Sequence, residues 1–331
     1  MTAAANDQAP ATRTQVLAAF AAIYLVWGST YLAIRVAVET LPPFLMAGAR
    51  FLVSGLLLYG FLWFTRRIRP TARQWRDNAI VGGFLMLGGN GVVCWAEQKV
   101  PSGVATLLIS VGPIAVVLLD WAVLVIGRDP KRGARPNLPT VIGLTLGCGG
   151  LALLAGPSVF NSQGGFDRVS VGALMLASTL WSAGSLYGKY SREPAEPFTA
   201  SAIQMLTGSA WLFAASFIAG EPQRFSTAMI TPSALGAWAY LTIVGSLVGF
   251  TAFVWLMKHC SPARVYTYTY VNPIVAVFLG WLILHEEVTP RTFAAAAIII
   301  AGVAIITTAK TRKPAPKPVP ASAPEPEKVG T

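Results

Sequence analysis

Charge is scarce in this sequence: Asp, Glu, Lys and Arg together make up 12% of its 331 residues. A soluble domain carries roughly a quarter, so most of this chain's surface faces something other than water. Histidine occurs only twice, at His259 and His285, both at the ends of apolar runs, which argues against a hydrolytic histidine centre. The three cysteines, Cys94, Cys148 and Cys260, show no CxxC spacing and have no neighbouring metal ligands. Thiols so placed form neither a disulfide framework nor a metal site. No GxxxxGK[ST] stretch is present, so no cofactor, metal or ATPase partner is expected. Acidic residues number 14 against 25 basic ones, a surplus that would suit nucleic acid if it were gathered on one surface.

It is not gathered that way. The basic residues fall in short clusters between long hydrophobic stretches, and 54% of the chain is hydrophobic. A helix crossing a ~30 Å hydrocarbon core needs about 20 residues. Ten runs approach that length: 15–36, 42–64, 79–99, 103–125, 140–156, 170–188, 197–219, 234–257, 263–284 and 291–309. With the N-terminus inside, nineteen Lys and Arg fall in cytoplasmic segments and five in external ones, and Arg50 is left within a span. That bias places both termini in the cytoplasm of a multi-pass protein of the bacterial inner membrane. The basic surplus is thereby explained by the bilayer, with no nucleic-acid partner. Residues 1–14 read as a polar cytoplasmic tail with no cleavable signal. Residues 310–331, rich in Pro and Lys, read as a disordered cytoplasmic tail.

The chain also repeats itself. Trp27-Gly-Ser-Thr-Tyr-Leu-Ala-Ile-Arg35 lies 154 positions before Trp181-Ser-Ala-Gly-Ser-Leu-Tyr-Gly-Lys189, and the same offset pairs Pro43-Phe44 with Pro197-Phe198 and Arg50 with Gln204. An offset of 160 pairs Trp95 with Trp255, Val111-Gly-Pro113-Ile with Val271-Asn-Pro273-Ile, and Trp121 with Trp281. Each copy holds five spans, an odd number, so the second enters the membrane from the opposite side. The expected fold is therefore an all-α polytopic membrane protein of ten transmembrane helices in two inverted five-helix halves, 15–156 and 170–309. In such carriers the substrate site lies near the midplane between the copies.

The stretch WGSTYLAIRVAVETLPPFLMAGARF (27–51) resembles the opening of EamA-type members of the drug/metabolite transporter superfamily. The segments PSGVATLLISVGPI (101–114) and SPARVYTYTYVNPIVAVFLGW (261–281) are similar to the fourth and ninth helices of that family, closest to its YedA-like exporters. The resemblance implies a 5+5 inverted-repeat fold, a central cavity and alternating access for amino acids, other metabolites or drugs. Small multidrug members use a carboxylate in the first helix for proton exchange. This first helix has none in its core, so that mechanism does not carry over.

Polar groups at membrane depth are costly and call for a reason. Trp27, Thr30, Tyr31 and Ile34 share one face of the first helix by their i, i+3, i+4, i+7 spacing. They suit a cavity that holds an apolar body and bonds a polar end, with Trp181 as the repeat counterpart of Trp27. Asn90, flanked by Gly88, Gly89 and Gly91, is a further cavity candidate at midplane depth. Pro113 and Pro273 are candidate hinges. In the ninth span Tyr266 and Tyr270 share one face while Tyr268 and Asn272 share nearly the opposite one. Tyr270 and Asn272 stand as alternative cavity residues. Of the intramembrane charges, Arg50 is expected to pair with Glu97, and Asp120 lies too far along the axis to join them. The reading is a secondary transporter, an exporter of small amphipathic metabolites or drug-like compounds, with a small-molecule substrate and the bilayer as its partners. A membrane-embedded enzyme would need clustered His, Asp, Glu or Cys, and a channel would need a continuous polar stripe. Neither is present.

Overall fold

The computed structural model describes residues 11–127, 132–160, 167–284 and 289–308. The tail 310–331 and most of the tail 1–14 therefore lie outside the described residues. Ten helical segments follow in order: α1 (Arg13–Val38), α2 (Pro43–Arg66), α3 (Ala72–Ala96), α4 (Ser102–Gly127), α5 (Leu138–Phe160), α6 (Arg168–Lys189), α7 (Pro197–Ile218), α8 (Pro232–His259), α9 (Tyr268–Leu284) and α10 (Pro290–Thr308). Nine of these are long and apolar enough to cross a membrane by themselves. The ninth segment, α9, has 17 residues and reaches spanning length only with the helical turn Pro262–Val265 that precedes it. Among the described residues there is no β-strand.

Local chemistry sets the helix starts. Proline opens α2, α7 and α8, where its missing N–H costs nothing. Reciprocal capping boxes, Thr12 with Gln15 and Thr71 with Gln74, open α1 and α3. The second box corrects the sequence expectation. The third helix begins at Ala72 rather than near 79, because a capped polar turn carries it out beyond the apolar run.

The surface is apolar and the interior holds the polar groups, as a lipid-facing bundle requires. Phe64, Ile126 and Ile218 are 83%, 82% and 89% exposed, whereas Arg50, Asn272, Gln204 and a series of serines are buried. The principal packing runs between the halves rather than within them. Helix α2 packs on α7 and α5 on α10; α1 lies against α8 and α9, and α6 against α3 and α4. Exchanging each helix for the one five places on returns the same set of neighbours. The exchange also reverses direction. An ion pair of 3.7 Å joins Lys99, after α3, to Asp167, at the start of α6, and one of 3.0 Å joins Arg73, near the start of α3, to Glu193, after α6. Helices α3 and α6 thus run antiparallel, while α1 ends beside the end of α3, where Arg35 donates to the Glu97 carbonyl.

Helices α3 and α8 share a further irregularity. Gly83–Gly91 and Leu241–Phe250 are π-helical, a wide turn that is rare and clusters at functional sites. At the offset of 160 the two stretches coincide within two residues. Residues of both, Gly89 and Asn90 from one and Gly245 and Phe250 from the other, line a single cavity.

Candidate functional site

The two matched tryptophans meet where the halves cross. Trp27 and Trp181 form an edge-to-face pair with ring centroids 5.6 Å apart. Each indole lies on a glycine of the opposite half. A Cβ on Gly249 would come within 2.6 Å of Trp27 Nε1, and one on Gly89 within 2.5 Å of Trp181 Cε3. Gly89 and Gly249 are repeat equivalents, so the same knob enters the same hole twice. The cation eight residues beyond each tryptophan is explained too. Arg35 donates to the carbonyl of Glu97, and Lys189 Nζ donates to the carbonyls of Met257 (2.6 Å) and Cys260 (2.9 Å). Glu97 and Met257 are again equivalent positions. The motif therefore seats a ring against a helix of the other half and caps the C-terminal end of the equivalent helix in its own half with positive charge.

Around this crossing lies a cavity of about 70 Å³, walled by Trp27, Thr30, Tyr31, Ile34, Arg50, Gly89, Asn90, Trp181, Phe250, Tyr266 and Tyr268 among others. The face expected on α1 is therefore gathered at one place, together with Asn90 and Trp181. Thr30 bonds the Trp27 carbonyl of its own helix at 2.9 Å. The rings pack closely, with Trp27 at 4.8 Å from Tyr268 and 5.1 Å from Phe253, and Trp181 at 5.5 Å from Phe253. Phe253 also lines a second space of about 290 Å³, bounded by Asp77, Asn78, Lys189, Gln204, Met257 and Lys258. This vestibule opens at the end of the bundle that carries Arg73 and Arg76. Phe253 thus lies between the vestibule it lines and the rings of Trp27, Trp181 and Tyr268 at the cavity.

Several expectations are corrected. Arg50 does not pair with Glu97. Its Nε donates to Ser246 Oγ at 2.8 Å, its Nη1 reaches Asn90 Oδ1 only at 3.5 Å, and its guanidinium lies over the Phe51 ring at 4.5 Å. Arg50 lies on the α8 side of the cavity, whereas the buried Glu97 carboxylate, one turn beyond Val93, makes no hydrogen bond. Tyr270 does not face the cavity. It packs with Leu151, Ile299 and Ile306 between α5 and α10, its hydroxyl 3.6 Å from Cys148 Sγ. Asn272 is buried beside Tyr31 with no regular hydrogen bond on its amide, and it does not line the cavity. Tyr266 and Tyr268 do line it together, because the chain turns at Tyr266–Thr267 and breaks the helical spacing that would have set them on different faces. Asp120 is remote, accepting from the Tyr190 hydroxyl at 2.6 Å. Pro113 follows a break in α4 at Ser110–Val111, whereas Pro273 sits inside the continuous α9.

Sequence reasoning missed Ser246, Phe250 and Phe253. The offset of 160 sets Phe253 against Val93 and Phe250 against Asn90, so the residues that differ between the copies carried no repeat signal.

The model of the EamA-like transporter family matches residues 14–156 and again 169–308, nearly all of the folded chain. This chain belongs to the EamA-like transporter family. The inner membrane transporter YedA of Escherichia coli K12 is 35% identical over 301 residues, covering 90% of this chain and 92% of YedA. The Bacillus subtilis transporters YvbV and YoaV are 25% and 23% identical, over 91% and 87% of this chain and 93% and 95% of their own. A solved crystal structure shares the fold, with a TM-score of 0.69 at 20% identity over 89% of this chain and 97% of that one. The EamA pattern of two matched repeats accords with the exchange symmetry of the helix packing. It also places the chain among membrane transporters.

Proposed function

We propose that this EamA protein is a secondary transporter that exports small amphipathic molecules, amino acids and drug-like compounds among them, by alternating access at the central cavity. The observation that carries this reading is the cavity's position. It lies where equivalent helices of the two inverted halves cross, with Phe253 dividing it from a vestibule at one end. Trp27, Tyr31, Trp181 and Asn90 would contact substrate, and the rings supply large area with few rotatable bonds. The positive-inside bias supports termini in the cytoplasm, which makes the vestibule the inward-facing mouth.

The test is counterflow in proteoliposomes with imposed pH and potential gradients. Trp27→Ala should abolish saturable flux and Tyr31→Phe should weaken it, in protein that elutes as a normal monodisperse peak. Wild-type rates and affinities in both variants would reduce this face to packing. Reporters fused after Arg76 and Arg135 should read cytoplasm, and an external reading at either would overturn the orientation.

A further inference from the structure

Arg50 is a cation placed at membrane depth with no carboxylate to balance it. It is 3% exposed, lines the cavity, and takes part in no ion pair among the described residues. A guanidinium carries five N–H donors. Here Nε is satisfied by Ser246, and among the described residues Nη1 has only the long contact to Asn90 and no acceptor engages Nη2. The Trp181 indole N–H, also at the cavity, is buried without an acceptor, although its counterpart on Trp27 donates to the Gly245 carbonyl at 3.2 Å. Unsatisfied donors therefore gather at this wall, while no acidic side chain lines it among the described residues. Leaving a buried charge unpaired is costly, so a ligand that supplies the missing acceptor would be strongly favoured. The rest of the wall is aromatic.

We propose that the central cavity selects a small carboxylate with an apolar body and no cationic group, its carboxylate seated on the Arg50 guanidinium. This rests on the transporter reading and narrows it to carboxylates without an ammonium, which sets the zwitterionic amino acids outside the preferred class. A zwitterion or an amine would bring an ammonium to a wall that has a cation and no acid. The present cavity of about 70 Å³ is well below the ~300 Å³ at which ligand pockets begin, so the body of the ligand enters only when Phe253 swings aside and joins the cavity to the vestibule.

The experiment uses the purified full-length chain and four matched probes: phenylacetate, phenylacetamide, phenethylamine and phenylalanine. Thermal unfolding in detergent reads binding, and flux into proteoliposomes reads transport. Phenylacetate should raise Tm and be carried, and the amide, amine and zwitterion should need at least about tenfold higher concentration for the same rise, the ratio expected for one lost charged contact. Arg50→Gln, which installs the residue that the second half carries at Gln204, should erase the preference, and Arg50→Lys should keep it in weaker form. Equal binding of the amide, tighter binding of the amine or zwitterion, no response to phenylacetate, or an unchanged preference in Arg50→Gln would each overturn the assignment. The ranking of probes on wild-type protein decides even if the variants fail to fold. Flux of phenylalanine or phenethylamine without phenylacetate would sink the anion and leave the transporter standing. A Tm rise with phenylacetate but no flux of any probe would sink the transporter and leave the anion site.

Discussion

Trp27 and Trp181 occupy the same place in their halves but differ in one bond, and that difference is measurable. Trp27→Phe removes the donor to the Gly245 carbonyl and should cost about 1 kcal/mol of stability, whereas Trp181→Phe breaks no protein hydrogen bond and should leave Tm nearly unchanged. Equal losses would mean that the indole bond contributes nothing. The glycines beneath them are less forgiving. Ala at Gly249 would set a methyl 2.6 Å from Trp27 Nε1, and the overpacking should cost about 1–3 kcal/mol. Arg50 and Glu97 share no bond, so alanine at both should lower folded yield by the sum of the single losses. Recovery in the double variant would restore the pairing that the sequence suggested.

At the scale of elements, the C-terminal caps are the clearest device. Lys189→Ala would strip two carbonyls at the end of α8 of their donor, an expected loss of about 1 kcal/mol. Arg35→Ala acts on the equivalent end of α3, at the other face of the bundle, and the two losses should add in a urea or thermal series. The Trp-to-cation spacing was plain in the sequence as a repeat. Its purpose was not, because the partner glycines lie in the opposite half, and neither they nor the capped carbonyls carry a side-chain signature. The face of Trp27, Thr30 and Tyr31 was legible from helical spacing alone. The ninth span misled at Tyr270 for the converse reason: a turn at Tyr266–Thr267 interrupts the spacing, and nothing in TYTYVN marks it. The wide turns in α3 and α8 were equally hidden, since a run of glycine and leucine fits an ordinary helix.

Over the whole molecule, the hydrophobic runs and their matched offsets specify ten segments and two copies, because bilayer thickness fixes length and duplication fixes order. How the copies interlock depends on shape, which those patterns do not encode. The interlocking has an experimental consequence. Residues 1–160 expressed without 161–331 should reach the membrane but resist purification as a folded species, and co-expression of the two pieces should recover it. A stable isolated half would contradict packing that runs mainly across the halves.

The same crossing sets a clock on synthesis. The side chain that accepts from Arg50 belongs to Ser246, 196 residues downstream. At the usual 5–20 residues per second, the chain needs about 10–40 s to make that partner after Arg50 has been built. Throughout that interval Arg50 lacks its Ser246 partner, while the glycine hollow at Gly89 and the face of α2 stay open until α6 and α7 are made. The nascent half is thus most exposed to mispairing and to membrane proteases before α8 arrives, and slowing translation between α5 and α8 should lengthen that exposure and reduce yield.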